Sequence, residues 1–474
     1  MVERARPNRS RRPGGKPAKA PPTPQKPKVD PVRLAALRAL QQVTGDGAYA
    51  NLVGPSMINR HGLTGRDAAL ATELINGTCR AIGTYELIIE AAARRDTREL
   101  DPDVVDVLCL GVHQLVATRI PAHAAISTSV DLARSVVGER VTGLVNAVLR
   151  KVSMRDLDAW LDLLTEDVDP TEALAIRTFH PRWIVDGYAD VLPADELEPA
   201  LRANNVAPSP VLVARPGLST VDELVAEGAV AEGPSPYQAT WQGNPGDLAM
   251  IRDGRAGVQD GGSQLVALAL ARAEAPPAGR WLDLCAGPGG KTSLLTGLAR
   301  EVGASVVAVE PSTHRALLVA QAVAAHPAAS VTVIQADGTE PAWRFGSFTR
   351  VLADVPCSGL GSLRRRPESR WRRHPDDVSD LTELQTTLLY GAIDALRHGG
   401  IVAYVTCSPL RAETDDVVAT VVAERSDVEV VPATRLLPEV SDAASGDRRV
   451  RGAVQLWPHR HGTDAMYLAL LRRR

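Results

Sequence analysis

The sequence is poor in cysteine and aromatic residues, and it lacks any long apolar run. Five cysteines among 474 residues, none in a CxxC pair, exclude a disulfide scaffold and a zinc framework. Free thiols indicate a reducing, cytoplasmic compartment. No stretch approaches the ~18 consecutive apolar residues of a membrane-spanning helix, and no apolar segment of the secretory kind follows the basic N-terminus. Aromatic residues are only 4%, too few for broad base-stacking surfaces.

The composition that is present is ordinary for a globular protein, but the charge is uneven. Hydrophobic residues make up 45% and charged residues 23%, and the length suggests two or three domains. The formal net charge is −3, yet residues 1–28 carry nine Lys or Arg side chains against one glutamate. Such a basic tail is consistent with a polyanionic partner and equally with a solvated leader. Its seven prolines and near absence of large apolar residues predict a disordered segment.

Apolar periodicity divides the remaining chain into three regions. Residues 29–165 show helical spacing throughout and predict an all-α bundle. Residues 166–255 are punctuated by prolines and contain short β-like runs, which predicts a small α+β linker region. From residue 256 to 474, short apolar runs alternate with helical stretches. That alternation is typical of an α/β fold with a doubly wound, mostly parallel sheet.

The strands predicted in the last region place their carboxyl ends at one edge of the sheet. They are Trp281–Cys285, Ser305–Val309, Val331–Gln335, Arg350–Ala353, Ile401–Val405 and Met466–Leu471. Helices are predicted between them, among them Thr292–Arg300 and His314–Ala325. Ligands of doubly wound sheets bind outside the carboxyl ends of the strands, so we expect the functional site there.

A glycine-rich turn follows the first of these strands. The sequence DLCAGPGGKT, residues 283–292, runs from a buried strand through three glycines into a helix. Glycine lets the backbone approach a ligand closely, and the first turn of the helix offers unpaired N–H groups. The spacing matches neither the Walker A pattern nor GxGxxG, because Cys285 and Thr292 stand where glycines are required. The turn alone is therefore a weak indication of a nucleotide-like ligand.

Acidic residues at the strand ends make that indication stronger. They are Asp283, Glu310, Asp337 and Asp354. Glu310 stands about twenty residues after the turn, where an acid of a nucleotide-binding βαβ unit contacts ribose hydroxyls. A single aspartate is usually a loop residue or a helix cap, but four in register indicate a common crevice. Carboxylates without an arginine clamp suit a cationic, ribose-bearing ligand better than a polyphosphate. S-adenosylmethionine fits that description.

Two cysteines follow two other predicted strand ends. Cys357 lies in the sequence DVPCSG and Cys407 in TCSP. A buried cysteine is usually a small hydrophobic residue, but the turn residues around these two predict exposure to the crevice. A free thiol is little ionised at neutral pH, so a reactive one requires local activation.

These motifs resemble those of a known family. DLCAGPGGKT, DVPCSGLG, VTCSPL and VQDGGSQ (residues 258–264) are similar to motifs of the Sun/Nop-type RNA 5-methylcytosine methyltransferases, for which the paired Pro-Cys and Thr-Cys motifs are specific. The helical region, with LVNAVLR at residues 144–150, resembles a NusB-like RNA-binding domain. Together the two regions resemble the bacterial RsmB type (Fmu/Sun), which methylates 16S ribosomal RNA. The resemblance covers about residues 30–474.

The resemblance implies a multidomain fold and a defined reaction. An all-α NusB-like bundle would occupy residues 29–165, and a Rossmann-like class I S-adenosylmethionine-dependent methyltransferase domain would occupy residues 256–474. The enzyme would transfer a methyl group from S-adenosylmethionine to carbon 5 of a cytosine in 16S ribosomal RNA. It would do so through a covalent Cys–cytosine intermediate and without a metal ion. We expect the chain to act as a monomer.

The resemblance also assigns roles to single residues. Cys407 would be the nucleophile, Cys357 would assist product release, and Asp354 would lie between the cofactor and the target base. Glu310, where many relatives have aspartate, would hold the ribose, and Asp337 would lie beside the adenine. The cofactor loop would be formed by Cys285, Ala286, Gly287, Pro288, Gly289, Gly290 and Lys291. Alanine is common in relatives at the position of this loop's first glycine, but the difference removes no reacting group.

A run of arginines with one tryptophan follows the Cys357 motif. Six guanidiniums beside a predicted active site favour phosphate contacts with RNA over a merely solvated helix start. They belong to Arg364, Arg365, Arg366, Arg370, Arg372 and Arg373. The target base has to leave its stack to be reached, so single-stranded or looped RNA is the expected substrate.

The sequence leaves three other interpretations open. The first is the same chemistry on transfer RNA, because only the pairing of the two domains favours ribosomal RNA. The second is a non-catalytic RNA-binding or antitermination-like factor, against which the intact motifs argue. The third is a protein or small-molecule methyltransferase, for which the two cysteines would have no purpose.

Overall fold

The computed structural model describes residues 29–276 and 279–474. The basic tail that the sequence predicts to be disordered, residues 1–28, lies outside the described residues. The described chain forms a helical part, a small antiparallel sheet with neighbouring helices, and a large mixed sheet. Within it, no helix is both long enough and apolar enough to cross a membrane.

The all-α bundle predicted for the N-terminal part is confirmed. Its helices are α1 (Pro31–Thr44), α2 (Ala50–Arg60), α3 (Gly65–Ala93), α4 (Pro102–Val116), α5 (Ala122–Val136), α6 (Thr142–Val152) and α7 (Leu157–Thr165). Asp30 caps α1 by accepting a hydrogen bond from the Arg33 amide at 2.9 Å. Asp101 caps α4 in the same way, and a proline follows each cap, where its missing N–H costs nothing. The apolar faces of these helices share one core.

Residues 166–255, predicted as one linker region, form two separate units. The first consists of α8 (Pro170–Thr178), α9 (Arg182–Ala189) and α10 (Ala194–Ala203). Ile184 and Tyr188 of α9 share a core with Leu360 and Leu410, which belong to loops near the two predicted active-site cysteines. These helices therefore support the C-terminal part rather than connect two domains.

The second unit is a three-stranded antiparallel sheet in the order β2-β1-β3. Its elements are β1 (Val211–Ala214), α11 (Val221–Ala226), β2 (Gln238–Thr240), α12 (Ala249–Arg252) and β3 (Ala256–Val258). The predicted boundary at residue 255 is wrong by one strand, because β1 takes β3 as its second partner, with Leu212 opposite Val258. An edge strand of three residues shows little periodicity of its own, and only its pairing identifies it.

The mostly parallel sheet predicted for the C-terminal part is also confirmed. Its strand order is β10-β11-β8-β7-β4-β5-β6, and β9 pairs with β11. The elements are α13 (Gly261–Arg272), β4 (Arg280–Asp283), α14 (Gly290–Glu301), β5 (Ser305–Val309), α15 (Thr313–Val323), β6 (Val331–Ile334), β7 (Phe348–Asp354), α16 (Ser369–Arg372), α17 (Pro375–Ala395), β8 (Leu396–Thr406), α18 (Asp415–Glu424), β9 (Val428–Val431), β10 (Val454–Gln455), α19 (Pro458–His461) and β11 (Tyr467–Arg473). The strands from β4 to β8 run parallel, whereas β9, β10 and β11 pair antiparallel at one side.

Burial on both faces of this sheet explains its continuous apolar runs. Side chains alternate between the faces, so that Trp281 points to the cluster formed with α13 and α14, and Leu282 to the cluster formed with α17. Parallel strands covered on both sides read as near-continuous hydrophobic segments. The predicted strands accordingly agree with the observed ones, and β9 and β10 are the ones that the sequence did not indicate.

Helix α16 docks the C-terminal part onto the helical bundle. The Trp371 indole N–H donates to the carbonyl of Arg80 at 3.1 Å, and the Arg372 guanidinium donates to the carbonyl of Ala48 at 2.7 Å. The Trp371 ring lies directly against Gly83 of α3, where a Cβ atom would stand 2.3 Å from the ring. A side chain at this glycine would therefore force the tryptophan out of its place.

We expect Gly83→Ala to weaken the contact between the two parts. The added methyl group overpacks the Trp371 ring, which should cost about 1–3 kcal/mol in the free energy of unfolding. Urea unfolding measures this cost, with Gly143→Ala as the control, because Gly143 is also helical and a Cβ atom there has nothing within 4 Å. Equal stability of the two variants would contradict the packing argument.

Candidate active site

A cavity of about 610 Å³ opens at the carboxyl ends of the parallel strands, where the site is expected. The predicted site residues that it brings together come from five separate stretches of sequence. The predicted site residues that line it are Cys285, Gly287, Pro288, Lys291, Glu310, Asp337, Asp354, Cys357 and Cys407. The described part of the chain holds no group of three or more His, Cys, Asp or Glu side chains arranged for a metal ion.

One of the four predicted strand-end acids does not face this cavity. Asp283 is only 1% exposed, and it accepts a hydrogen bond from the Thr292 hydroxyl at 2.7 Å. Burial raises the pKa of its carboxyl group to about 7. Asp283 is the last residue of β4 and lies under the glycine-rich turn, so it supports the first turn of α14 from inside.

Ala286, Gly289 and Gly290 shape the turn without lining the cavity. Gly289 directly precedes α14 and has a φ of +105°, and a Cβ atom there would stand 2.6 Å from that of Ala322. The strand end, the turn and the neighbouring helix thus approach each other more closely than any residue with a side chain would allow.

A carboxylate and a guanidinium close one end of the cavity. Glu310 accepts hydrogen bonds from the amides of Gly287 and Ser312, both at 3.1 Å. Arg315, which the sequence did not indicate, lies 3.5 Å from the Glu310 carboxylate and donates to the Gly287 carbonyl at 2.7 Å. A Cβ atom at position 287 would stand 2.2 Å from the Glu310 carboxylate. Glycine at position 287 is therefore what leaves room for glutamate rather than aspartate at position 310.

The residues present fit a ribose-bearing, cationic ligand. Glu310, Asp337 and Asp354 place carboxylate groups, which are hydrogen-bond acceptors, around the cavity. Hydrogen bonds from the amide and hydroxyl of Thr339 lower the pKa of Asp337, so that this exposed group keeps its negative charge. Acceptors of this kind match the hydroxyl groups, the amino groups and the positive charge of S-adenosylmethionine.

The two cysteines lie side by side at the other end of the cavity. Their Sγ atoms are 3.4 Å apart, close enough for a hydrogen bond between them. That bond lowers the pKa of Cys407, and the charges of Lys291 and Arg366 act in the same direction against burial and Asp354. The same bond, together with burial, raises the pKa of Cys357 well above its usual value. When one of the two thiols ionises, the pair therefore favours the proton on Cys357 and the negative charge on Cys407.

Lys291 connects the cofactor loop with the cysteines. Its ammonium group lies 2.8 Å from the Asp354 carboxylate, and both side chains are largely buried. The charge of Asp354 favours the protonated form of Lys291 and raises its pKa in spite of burial. The sequence assigned Lys291 to the cofactor loop alone, whereas in the structure its positive charge also lowers the pKa of Cys407.

The structure corrects part of the predicted arginine surface. Arg370 is fully buried and donates to the carbonyl of Phe179 at 2.8 Å and to the side chain of Asn205 at 2.7 Å. The side chain of Arg364 is 8% exposed and pairs with Asp260 and Asp464. Neither is available to a phosphate group. The arginines that do line the cavity are Arg365, Arg366, Arg372 and Arg373. Arg365 pairs with the same two aspartates as Arg364, whereas Arg366 is exposed.

The helical part forms one wall of the same cavity, which the sequence did not indicate. Tyr49 and Asn51 lie at the start of α2 and line the cavity together with the arginines. The guanidiniums of Arg366 and Arg372 lie 5.0 Å and 5.2 Å from the centre of the Tyr49 ring. The cavity is thus built by both parts of the chain, not by the large sheet alone.

The state of the two thiols predicts which cysteine reacts first. At pH 7 we expect iodoacetamide to alkylate Cys407 at least ~10-fold faster than Cys357, because a pKa difference of one unit changes the ratio of thiolate to thiol tenfold. The alkylation rate of Cys407 should stay high at pH values below the usual thiol pKa. It should fall only when the pH drops below the lowered pKa of Cys407. Peptide mass spectrometry measures both rates.

Cys357→Ala tests the origin of this reactivity. Without the S–H donor the pKa of Cys407 should rise, so the rate profile should move to higher pH. An unchanged profile would show that the contact between the sulfur atoms does not stabilise the thiolate. The control is Cys79→Ala, because Cys79 is buried in the helical part and away from the cavity.

The match between Gly287 and Glu310 predicts a coupled pair of substitutions. Gly287→Ala should displace the carboxylate and lower the affinity for S-adenosylmethionine at least ~10-fold, about 1.4 kcal/mol. Adding Glu310→Asp should restore most of the affinity, because the shorter side chain makes room for the methyl group. Calorimetry measures the binding, and thermal unfolding confirms that the variants are folded. Wild-type affinity in the single variant would contradict the clash.

Comparisons with known proteins agree with this geometry. The family described as "16S rRNA methyltransferase RsmB/F" matches residues 267–472, and the NusB family matches residues 30–154. A putative methyltransferase of Mycobacterium tuberculosis is 48% identical over 95% of this chain and 98% of its own length. Ribosomal RNA small subunit methyltransferase B of Pseudomonas putida is 32% identical over 93% of this chain and 98% of its own length.

Solved structures share the fold at lower sequence identity. The crystal structure of PH0851 covers 95% of this chain with a TM-score of 0.79 and 20% identity, and all of that chain is matched. NSun6 from Pyrococcus horikoshii, solved with SFG, covers 62% of this chain and 98% of its own with a TM-score of 0.51 and 15% identity. The chain belongs to the RsmB/F family of 16S rRNA methyltransferases, which use S-adenosylmethionine, and it carries an N-terminal domain of the NusB family.

Proposed function

We propose that this protein methylates carbon 5 of a cytosine in 16S ribosomal RNA through a covalent bond between Cys407 and the base. The observation that carries the proposal is the pair of sulfur atoms 3.4 Å apart, in a cavity that the cofactor loop also lines. A methyltransferase acting on a protein or a small molecule would have no use for such a pair. The names of the relatives support ribosomal RNA over transfer RNA as the substrate.

The thiolate of Cys407 would begin the reaction by adding to carbon 6 of the cytosine ring. Carbon 5 is too poor a nucleophile to accept a methyl group directly, and the addition converts the ring to an enamine that is nucleophilic there. S-adenosylmethionine supplies the methyl group from its sulfonium. Afterwards the proton on carbon 5 passes to solvent, the bond between carbon 6 and Cys407 breaks, and the electron pair returns to sulfur.

Cys357 would assist this last step as a hydrogen-bond donor. When Cys407 leaves the ring its sulfur regains a negative charge, and the S–H group of Cys357 stands 3.4 Å away to stabilise it. In the adduct the Cys407 sulfur is neutral, so the bond is strongest in the departing state. Cys357 thus favours release more than it favours the adduct.

Asp354 and Lys291 would hold the cytosine by its polar edge. The ion pair of 2.8 Å keeps the Asp354 carboxylate as an acceptor, which suits the exocyclic amino group of cytosine. The Lys291 ammonium is a donor, and it would stabilise the negative charge that develops on ring nitrogen 3.

The arginines at the cavity would contact the RNA backbone around the flipped base. Arg366, Arg372 and Arg373 line the cavity, and the Tyr49 ring of the helical domain lies against the first two of them. Phosphate contacts position an RNA, whereas the pocket itself selects the base. The NusB-family domain would then supply both affinity and one wall of the site.

The two cysteines predict opposite outcomes in a covalent-adduct experiment. With 16S ribosomal RNA and S-adenosylmethionine, Cys407→Ala should abolish both methyl transfer and any adduct, because no sulfur attacks the ring. Cys357→Ala should accumulate a protein–RNA adduct, because release is slowed. A denaturing gel with labelled RNA shows the adduct as a retarded band.

The double variant Cys357→Ala, Cys407→Ala is the control and should show no retarded band. Bisulfite sequencing of the RNA from the wild-type reaction should show one protected cytosine, which tests the carbon 5 position. A band that persists in the double variant, or methylation without a protected cytosine, would refute the covalent mechanism on carbon 5.

A further inference from the structure

A buried glutamate lies between the two loops that carry the cysteines. Glu413 ends the short helical turn Arg411–Glu413, which follows the Cys407 motif, and it is 0% exposed. It does not line the cavity, and nothing in the local sequence distinguishes it from a surface residue. A buried carboxylate carries a large desolvation cost, so its position has to be supported by hydrogen bonds.

Four hydrogen bonds reach this carboxylate, and three of them come from residues next to the cysteines. One oxygen accepts from the Ser358 amide at 2.7 Å and from the Gln385 amide group at 3.0 Å. The other oxygen accepts from the hydroxyls of Ser358 and Ser408, both at 2.5 Å. Ser358 directly follows Cys357, and Ser408 directly follows Cys407. Glu413 therefore bonds to both loops at the residue after each sulfur.

A second layer fixes the glutamate itself. Gln385 also donates to the carbonyl of Pro356 at 2.9 Å, and the Tyr404 hydroxyl donates to the carbonyl of Glu413 at 2.8 Å. All side-chain bonds of the carboxylate come from donors, which is the arrangement that an ionised group requires. The loops, the glutamate and α17 thus form one connected network.

We propose that Glu413 is a positioning residue that holds the two cysteine loops together and keeps the proton of the pair on Cys357. Its contacts fix the loops at the residue after each cysteine, so the distance between the sulfur atoms depends on them. Its negative charge lies on the Cys357 side of the pair, where it disfavours a second thiolate. The role in methylation rests on the proposed function, but the role in the thiol pair does not.

The electrostatics of Cys357 agree with this placement. The hydrogen bond to Cys407 and burial raise the pKa of Cys357 most, and the charges of Cys407 and Glu413 add to them. Removing the Glu413 charge lowers the pKa of Cys357, so that Cys357 ionises more readily. Loosening the loops weakens the hydrogen bond that the S–H group of Cys357 donates to Cys407. Both effects reduce the difference between the pKa values of the two thiols.

The test compares Glu413→Gln with Glu383→Gln in the protein without RNA. Glu383 lies on α17 two residues before Gln385 and is exposed, so its substitution makes the same chemical change away from the network. The readout is the ratio of iodoacetamide alkylation at Cys407 to that at Cys357, measured at pH 7 by mass spectrometry. We expect Glu413→Gln to lower this ratio at least ~10-fold, one pKa unit of difference, and Glu383→Gln to leave it unchanged.

Ser408→Ala is the second variant, because it removes one of the four bonds and keeps the charge. It should also lower the ratio of Cys407 to Cys357 alkylation, by about 3-fold, half of a pKa unit. If Glu413→Gln does not fold, Ser408→Ala provides the test. Affinity for S-adenosylmethionine, measured by calorimetry, should stay at the wild-type value in both variants. A folded variant with the wild-type ratio overturns the proposal.

This outcome is separable from that of the proposed function. A ratio that depends on Glu413 in a protein that forms no RNA adduct would leave the positioning role intact and remove the covalent mechanism. An unchanged ratio in a protein that does form the adduct would remove the positioning role of Glu413 and leave the covalent mechanism intact. In the active enzyme, Glu413→Gln should lower kcat for methyl transfer while KM for S-adenosylmethionine stays constant.

Discussion

The pairing of β7 with β8 is the constraint on which the site depends. The two strands run parallel with Asp354 opposite Val405, and the Val355 amide continues the ladder by donating to Val405 at 3.0 Å. Cys357 and Cys407 leave the sheet immediately after this pair. A register shift of one residue moves a strand by ~3.3 Å along its partner, about the distance between the two sulfur atoms. A slip of one residue would therefore move the thiols beyond hydrogen-bond distance. It would also exchange the side chains of the strand between the two buried faces and disrupt their packing.

The sequence predicts the strand ends well because burial on both faces leaves a strong pattern. The predicted strand Ser305–Val309 coincides with β5, and the other predicted strands of the large sheet lie on observed ones. Glu310, Asp337 and Asp354 were found in the cavity for that reason. Asp283 does not line the cavity, because an alternating pattern does not show to which side the last side chain of a strand points. Its contact with Thr292 comes from the helix that follows the turn.

Tertiary partners explain why the arginine run was only partly predictable. Local sequence gives the number of guanidiniums, but Arg364 pairs with Asp260 and Asp464, each about a hundred residues away. Arg370 takes its partners from the loop after α8 and from the end of α10. No periodicity within the run distinguishes these side chains from Arg366, which is exposed. The same holds for Glu413, whose importance comes from residues that three other segments supply.

The contact between the two domains has a consequence for how RNA would be presented. Phosphate-binding side chains on a flexibly tethered domain would raise the local concentration of RNA without orienting any base. Here Trp371 and Arg372 bond to the backbone of the helical domain, so its surface is held against the cavity rather than tethered to it. Tyr49 and Asn51 then stand at a fixed position beside the cysteines. A rigid wall of this kind pre-organises the site, because the orientation of a bound nucleotide does not have to be fixed anew at each turnover. On the proposed function, the NusB-family domain is for this reason part of the active site itself, and its removal would alter the site as well as the affinity for RNA.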